Sequence, residues 1–466
     1  MLQLDPQTRE RLWRRTEELV ESYMAEAAGL PVSPKLDPET IRARLAPYTF
    51  EKPVPPEEAL AFAAAQLREF QVHLSNPRYF GLFNPQPAAM GIFADAIVAG
   101  FNPQMAAWSH SPFACEVENH LVRAIGSRFG YDGARTDGVF CAGGAEANHT
   151  AVLCALTNEF PYFGERGVRS LAAQPVFYVS TEAHHSFHKA ARLCGLGRQA
   201  LREIPVDAKL RMRPDALARQ IAADRAAGFA PFLIVATAGT TNAGAVDPIL
   251  EIASVAQRER LWFHVDAAWG GAAALAPSVA HLLTGMELAD AITFDAHKWL
   301  SVPMGAGLYL TRHPSILSRT FATQTAYMPK EAAGLEITDP HLHSIQWSRR
   351  FTGLKVFLSL AVAGWSGYRE AIEHMVAMGN LLRRELQSGG WRLRNDTELP
   401  VVCFDDPGGA HPQEIVNRLL ESQRAWCSTT LLRGSDLVLR ACITNYRTGA
   451  ADVRSLVEAL GDARRA

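Results

Sequence analysis

The amino-acid sequence predicts an α/β fold with a mostly parallel central sheet, followed by a smaller α+β domain. Three observations carry that prediction. From about Gly138 to Leu310, short runs rich in β-branched and aromatic residues alternate with longer helix-forming stretches. Parallel strands require this order, because each must be followed by a crossover before the next can join the sheet. Beyond about Trp347 the alternation gives way to one long helical stretch and then to more widely spaced strand and helix candidates. At 466 residues the chain also exceeds the size at which one hydrophobic core keeps growing, so two or three subdomains are expected.

At the N-terminus, Asp5-Pro6 is a helix-cap signal. Leu12, Leu19 and Tyr23 on one side, with Trp13, Val20 and Met24 beside them, make the first helix amphipathic. Proline and glycine interrupt the segment from Leu30 to Pro56. Pro175 to Val179, Phe232 to Ala236, Leu261 to Val265, Ala291 to Phe294 and Gly307 to Leu310 read as buried strands, with helices such as Arg213 to Ala227 and Pro248 to Arg260 between them. Near the C-terminus the candidates are a strand at Leu399 to Phe404, a helix around Pro412 to Ser422 and a strand at Leu437 to Ile443.

Composition narrows the function class. An apolar fraction of 48% with 20% charged residues is ordinary for a globular protein, and the formal net charge is −2 with no long basic run. That balance gives no electrostatic case for nucleic acid or a membrane surface, and favours small-molecule chemistry. The N-terminus lacks the apolar core of a signal peptide, and no apolar stretch is long enough to span a bilayer, so a cytoplasmic location is expected. The seven cysteines show no Cys-x-x-Cys spacing and read as buried free thiols. His184, His185 and His188 lie close together, but no recognised metal-ligand spacing accompanies them, so no metal is expected.

The chemistry is carried by two motifs. Lys298 lies in Thr293-Phe294-Asp295-Ala296-His297-Lys298-Trp299. Asp266 lies in Trp262-Phe263-His264-Val265-Asp266-Ala267-Ala268-Trp269-Gly270-Gly271, 298 − 266 = 32 residues upstream. Alone, an aspartate at a strand end is usually a turn or cap residue, and a lysine is usually solvated. Together they match what pyridoxal 5′-phosphate (PLP) needs, a lysine that forms a Schiff base and a carboxylate that keeps the pyridine nitrogen protonated. A further signal is Ala142-Gly143-Gly144-Ala145-Glu146-Ala147-Asn148, two glycines between an extended run and a helix start, where backbone N–H groups can approach a phosphate.

These motifs resemble the group II PLP-dependent amino-acid decarboxylases, the family of aromatic-L-amino-acid and glutamate decarboxylases, from about Asn76 to the C-terminus. The resemblance implies a PLP-dependent transferase type I (aspartate aminotransferase-like) fold. It also implies a homodimer clasped by the N-terminal helices, and loss of carbon dioxide from an L-amino acid. The division that follows is a dimerisation segment over residues 1–90, a large PLP-binding α/β domain over 91–345 and a small α+β domain over 346–466. By resemblance, Gly144 and Ala145 hold the phosphate, Thr241 sits near the ring, and His184 stacks on one ring face with Ala268 on the other. Asp266, Asp295, His297 and Lys298 complete the cofactor-binding set, and Tyr327, in a segment that reads as a closing loop, is the acid that protonates the product carbon.

Substrate choice stays open at this stage. Tyr79, Phe80 and Trp108 could line an aromatic pocket or simply pack in the core, and Asn76 stands where relatives carry histidine. An aromatic amino acid is the leading class. Arg78, or Arg349-Arg350, could instead greet an acidic side chain. The other readings are a PLP-dependent aldehyde synthase and a catalytically inert binding protein on the same fold.

Overall fold

Seven strands make the central sheet of the computed structural model, which describes residues 2–34, 37–83, 86–323, 328, 332 and 334–465. They are β1 (Asp137–Cys141), β2 (Pro175–Ser180), β3 (Leu201–Ile204), β4 (Ala230–Thr237), β5 (Trp262–Asp266), β6 (Ala291–Asp295) and β7 (Gly307–Thr311). Their order is β1-β7-β6-β5-β4-β2-β3. From β6 to β3 every pairing is parallel, and β7 runs antiparallel to both of its neighbours.

The central strands are continuous apolar runs because both of their faces are covered. β2, β5, β6 and β7 are buried at every position. Along β4, Ile234 and Ala236 enter one hydrophobic core while Leu233 and Val235 enter the other, as the alternation of side chains across a strand requires. Helices at Gly144–Glu159, Pro214–Ala226 and Ile249–Glu259 are among the crossovers that cover the sheet. This is the type I architecture expected from the sequence.

The C-terminal part carries a second, antiparallel sheet of β8 (Arg392–Leu393), β9 (Val401–Asp405), β10 (Ser428–Leu432) and β11 (Asp436–Cys442), ordered β10-β11-β9-β8. Helices Pro412–Ser422 and Ala450–Arg465 belong to this smaller α+β unit. The helical stretch Gly353–Ser388 joins the two parts, packing on Ala89–Phe101 and Pro112–Arg128 and on the C-terminal helix. It is broken at Gly364, whose φ of 62° and ψ of 174° suit glycine alone.

The N-terminal region forms helices Pro6–Glu26, Pro38–Leu45 and Pro56–Phe70. The Asp5 carboxylate accepts the Thr8 N–H at 2.9 Å, so the cap is real. No residue of the first helix is buried. Among the described residues no helix is long and apolar enough to cross a membrane. All seven cysteines are buried and free.

Candidate active site

The parallel strands all point their carboxyl ends to one edge of the sheet, and ligand crevices of open α/β sheets form there. One cavity at that edge is lined by Gly144 and Ala145 after β1, His184 after β2, and Thr237, Gly239 and Thr241 at and after the end of β4. Asp266, Ala268 and Trp269 come from the end of β5, Asp295 and Lys298 from the end of β6, and Asn148 from the helix after β1.

At the cradle, a side chain on Gly144 would lie 2.9 Å from Asp295 Oδ2 and 3.2 Å from the Ala268 methyl, so only glycine fits without displacement. Gly144 opens a helix of 16 residues, whose N-terminal dipole and unbonded first-turn N–H groups favour an anion.

Asp266 is 5% exposed and accepts hydrogen bonds from Asn148 Nδ2 at 2.8 Å and from the Ala268 N–H at 3.1 Å. No cation pairs with it among the described residues. Asn148 is held in turn. Its Oδ1 accepts from Thr293 Oγ1 at 2.7 Å and from His264 Nε2 at 3.3 Å, and its Nδ2 also donates to Ser186 Oγ at 3.0 Å. Burial pushes the His264 imidazole down to about 4, so it is neutral and adds no charge.

Ser186 relays this order to His184. Because Ser186 Oγ accepts from Asn148, its own proton is free for His184 Nδ1, 2.9 Å away, which also accepts the Ser186 N–H at 3.2 Å. Burial lowers the His184 pKa, so the ring is neutral and carries its proton on Nε2.

Lys298 Nζ lies 3.0 Å from Asp295 Oδ2 and 6.0 Å from the Phe83 ring centre. Asp295 is fully buried, and its Oδ1 has no hydrogen-bond partner among the described residues. His297, also buried, accepts the Ala306 N–H on Nδ1 at 3.2 Å and stands behind the cavity rather than in its lining.

The structure thus brings Gly144, Ala145, His184, Thr241, Asp266, Ala268, Asp295 and Lys298 together around one space. Tyr327 lies outside the described residues. Tyr79 is buried against Trp426, its hydroxyl oxygen accepting the Leu82 N–H. Phe80 is wholly buried in the main core, and Trp108 donates its Nε1–H to Glu116. None of these three lines the cavity. The arginines considered for an acidic substrate are also engaged elsewhere: Arg78 on the Ala28 carbonyl, Arg349 with Glu118, Arg350 with Asp95.

The sequence reading gave no role to the cavity-lining Thr237, Gly239 and Trp269, nor to four residues that order the site, Asn148, Ser186, Thr293 and Arg440. Asn148 is four residues along the helix from Gly144, hence on the same face, and that spacing was a usable signal. Thr293 acts through Asn148, and Ser186 through both Asn148 and His184. Arg440 is 3% exposed in a strand that is apolar after its first residue, Asp436, and a charge at such a position was itself a signal. Its Nε donates to the Thr241 carbonyl at 2.9 Å and its Nη1 to Gly81 O at 2.9 Å, its guanidinium lies 5.0 Å from the Phe83 ring centre, and its Nη2 has no partner.

The arrangement fits PLP. It offers a glycine cradle at a helix N-terminus, a lysine across the cavity, and a buried carboxylate satisfied only by neutral donors, to which a protonated ring nitrogen would supply the missing charge.

Comparison with known proteins agrees. Residues 38–406 match the model of the pyridoxal-dependent decarboxylase conserved domain. The chain is 29% identical to the aromatic-L-amino-acid decarboxylase of Bacillus atrophaeus, over 98% of this chain and 95% of that one. It is 32% identical to the cysteine sulfinic acid decarboxylase of Mus musculus, over 72% and 68%. The crystal structure of Oryza sativa TDC with PLP and tryptamine superposes with a TM-score of 0.93 at 25% identity, covering 100% of this chain and 99% of that one. The family model's match over most of the chain, beside a cavity at the strand ends whose lining fits PLP, makes this protein a member of the pyridoxal-dependent decarboxylase family.

Proposed function

We propose that the enzyme decarboxylates an L-amino acid with an aromatic side chain to the corresponding amine, and that it acts as a homodimer. The observation that carries the chemistry is Asp266, a buried carboxylate with no cation paired to it among the described residues, facing a cavity that also holds Lys298. Bound PLP supplies an aldehyde for the substrate amino group and a ring that takes up the electrons left by the departing carboxylate. Gly144 and Ala145 would hold its phosphate, His184 and Ala268 its two faces, Asp266 its ring nitrogen and Lys298 its aldehyde. Asn148 and the Ala268 N–H keep the Asp266 carboxylate in place, and Ser186 fixes the His184 ring, so the site is ordered before substrate arrives.

Two observations support the aromatic class. Trp269 lines the cavity and stacks on Phe83 with ring centres 4.4 Å apart, giving an apolar flat wall. The Bacillus relative, matched over nearly the whole chain, bears an aromatic substrate in its name. A second reading, an acidic or sulfinic side chain, is supported by Arg440, which stands beside the cavity-lining Thr241 and whose Nη2 has no partner among the described residues. An amino-acid panel that reads carbon dioxide, amine and peroxide together separates them. Under the aromatic reading, kcat/KM for the best aromatic substrate exceeds that for glutamate or cysteine sulfinate by about tenfold or more. The reverse order, abolished by Arg440→Leu, establishes the second reading.

Tyr327 is the acid in this proposal. Tyr327→Phe is expected to keep carbon dioxide release but slow protonation of the carbon the carboxylate leaves. Dioxygen then takes the electron pair, and with water gives aldehyde, ammonia and hydrogen peroxide in place of amine. A Phe variant that makes amine at the parent rate rejects the assignment. Parent enzyme that yields one peroxide per carbon dioxide establishes an aldehyde synthase instead.

The dimer rests on exposed apolar surface. Phe101 is 85% exposed and Phe113 68%, and they line one groove with Ile97 and Phe351, while Trp13 on the unburied first helix is 59% exposed. Contiguous apolar area of this kind marks an interface. Sedimentation should give twice the chain mass of 51.0 kDa, and an active species at 51.0 kDa would refute the dimer.

A further inference from the structure

The small domain grips a single turn of the large domain by its carbonyls. Thr241 O accepts from Arg440 Nε at 2.9 Å, and Asn242 O lies 3.2 Å from the Cys403 thiol. Ala243 O accepts from Asn395 Nδ2 at 2.7 Å, and Gly244 O from Thr397 Oγ1 at 2.7 Å. Four successive carbonyls, beginning at the cavity-lining Thr241, are therefore held by side chains from beyond residue 390.

The side chain of Asn242 closes the same joint. Its Oδ1 accepts from Thr430 Oγ1 of β10 at 2.9 Å, and its Nδ2 donates to Glu182 Oε2 at 3.2 Å. Glu182 is 3% exposed and makes no ion pair among the described residues. Its other oxygen, Oε1, accepts the N–H of Arg433 at 2.8 Å, in the turn between β10 and β11. Arg433 sits at φ 52°, a left-handed conformation that a side-chain-bearing residue needs help to hold. Glu182 is two residues before His184, and Asn242 is next to Thr241.

We propose that Glu182 and Asn242 are a positioning pair. Their contact ties both cofactor walls, His184 and Thr241, to the β10–β11 turn, and so sets where the small domain and its Arg440 stand over the site. Neither side chain lines the cavity, so both act through their neighbours. The proposal rests on the decarboxylase reading only for its kinetic readout, because retention of PLP reports the same joint without turnover.

The test exchanges charge across the contact. Asn242→Asp sets a second carboxylate against Glu182 and is expected to raise KM about tenfold, with kcat within about threefold, and to weaken PLP retention in equilibrium dialysis about tenfold. Glu182→Gln alone is mild, within about threefold, because Asn242 can turn its amide and offer Oδ1 to the new donor. The double variant Glu182→Gln/Asn242→Asp satisfies every group. The amide introduced at position 182 would donate to the carboxylate introduced at position 242, Thr430 would still donate to that carboxylate, and the Arg433 N–H would keep its acceptor. Both KM and PLP retention should return to within about threefold of the parent.

Parent-like KM and PLP retention in Asn242→Asp overturn the proposal. So does a defect that the double variant fails to restore, or one seen only in melting temperature. Should Asn242→Asp not fold, Asn242→Ala keeps the backbone carbonyl and removes only the strut, and must show the same raised KM. Loss of all turnover on every amino acid in the parent would count against the substrate reading, while dialysis of PLP would still decide the strut.

Discussion

Replacing Lys298 by alanine is expected to lower kcat by on the order of 10⁴-fold or more, the scale at which loss of a covalent participant acts. Among the described residues the lysine is the only one lining the cavity with an amine, and β6 places it there by ending at Asp295, three residues earlier. Its removal has a second consequence. Asp295 Oδ2 loses the ammonium 3.0 Å away and keeps only His297 Nε2 at 3.8 Å, whose charge burial disfavours, while Oδ1 has no partner among the described residues, so a fully buried carboxylate is left poorly compensated. A stability loss of about 1–3 kcal/mol should follow, since Lys298 itself is partly exposed and the pair is screened from one side. Adding Asp295→Asn should recover much of that stability and none of the activity, which separates the two roles. Borohydride reduction of the parent followed by peptide mapping should place the pyridoxyl group on Lys298. Its recovery on another lysine would remove Lys298 from the role.

Most of the sheet could be read in the sequence because buried parallel strands leave an unbroken apolar run. The runs at Phe232 and Ala291 lie within β4 and β6, and the helix at Pro412–Ser422 is bounded as expected by its proline start. The strands that escaped are the ones that lack such a run. β3 is an edge strand of sequence Leu-Arg-Glu-Ile with its middle exposed, β8 has two residues, and β10, Ser-Thr-Thr-Leu-Leu, is buried only at its end. Within the site, Lys298 and Asp266 were legible because Asp266 ends one buried strand and Lys298 follows another, each within a distinctive motif. The network that orders them was not, because Thr293 meets Asn148 across 145 positions and Arg440 meets Thr241 across 199. Phe80 shows the opposite failure. An aromatic residue looks alike in a pocket or a core, and only its complete burial places it in the core.

Asp266→Asn should lower kcat by about 10²–10⁴-fold, the equivalent of the roughly 3–5 kcal/mol lost when one member of a buried charge pair is removed. The change conserves volume, but the single amide oxygen can accept the Ala268 N–H or the Asn148 amide and not both, so a stability loss of about 1–3 kcal/mol is expected beside the kinetic one. With the oxygen on the Ala268 N–H, Asn148 Nδ2 faces a second amide nitrogen and loses its bond to position 266, keeping the one to Ser186 Oγ. The larger loss for catalysis is the negative charge. A carboxylate in this position raises the pKa of the ring nitrogen of bound PLP and so keeps it protonated as pH rises; an amide does not. The deficit of Asp266→Asn relative to the parent should therefore be smallest at low pH and grow as pH increases. Asn148→Leu provides the graded control. It leaves the Asp266 charge in place but removes one donor, so kcat should fall only about tenfold, with the pH dependence close to that of the parent. A variant lacking the carboxylate that turns over at the parent rate, or whose deficit is the same at every pH, would show that the buried charge of Asp266 does not hold the proton on the cofactor ring.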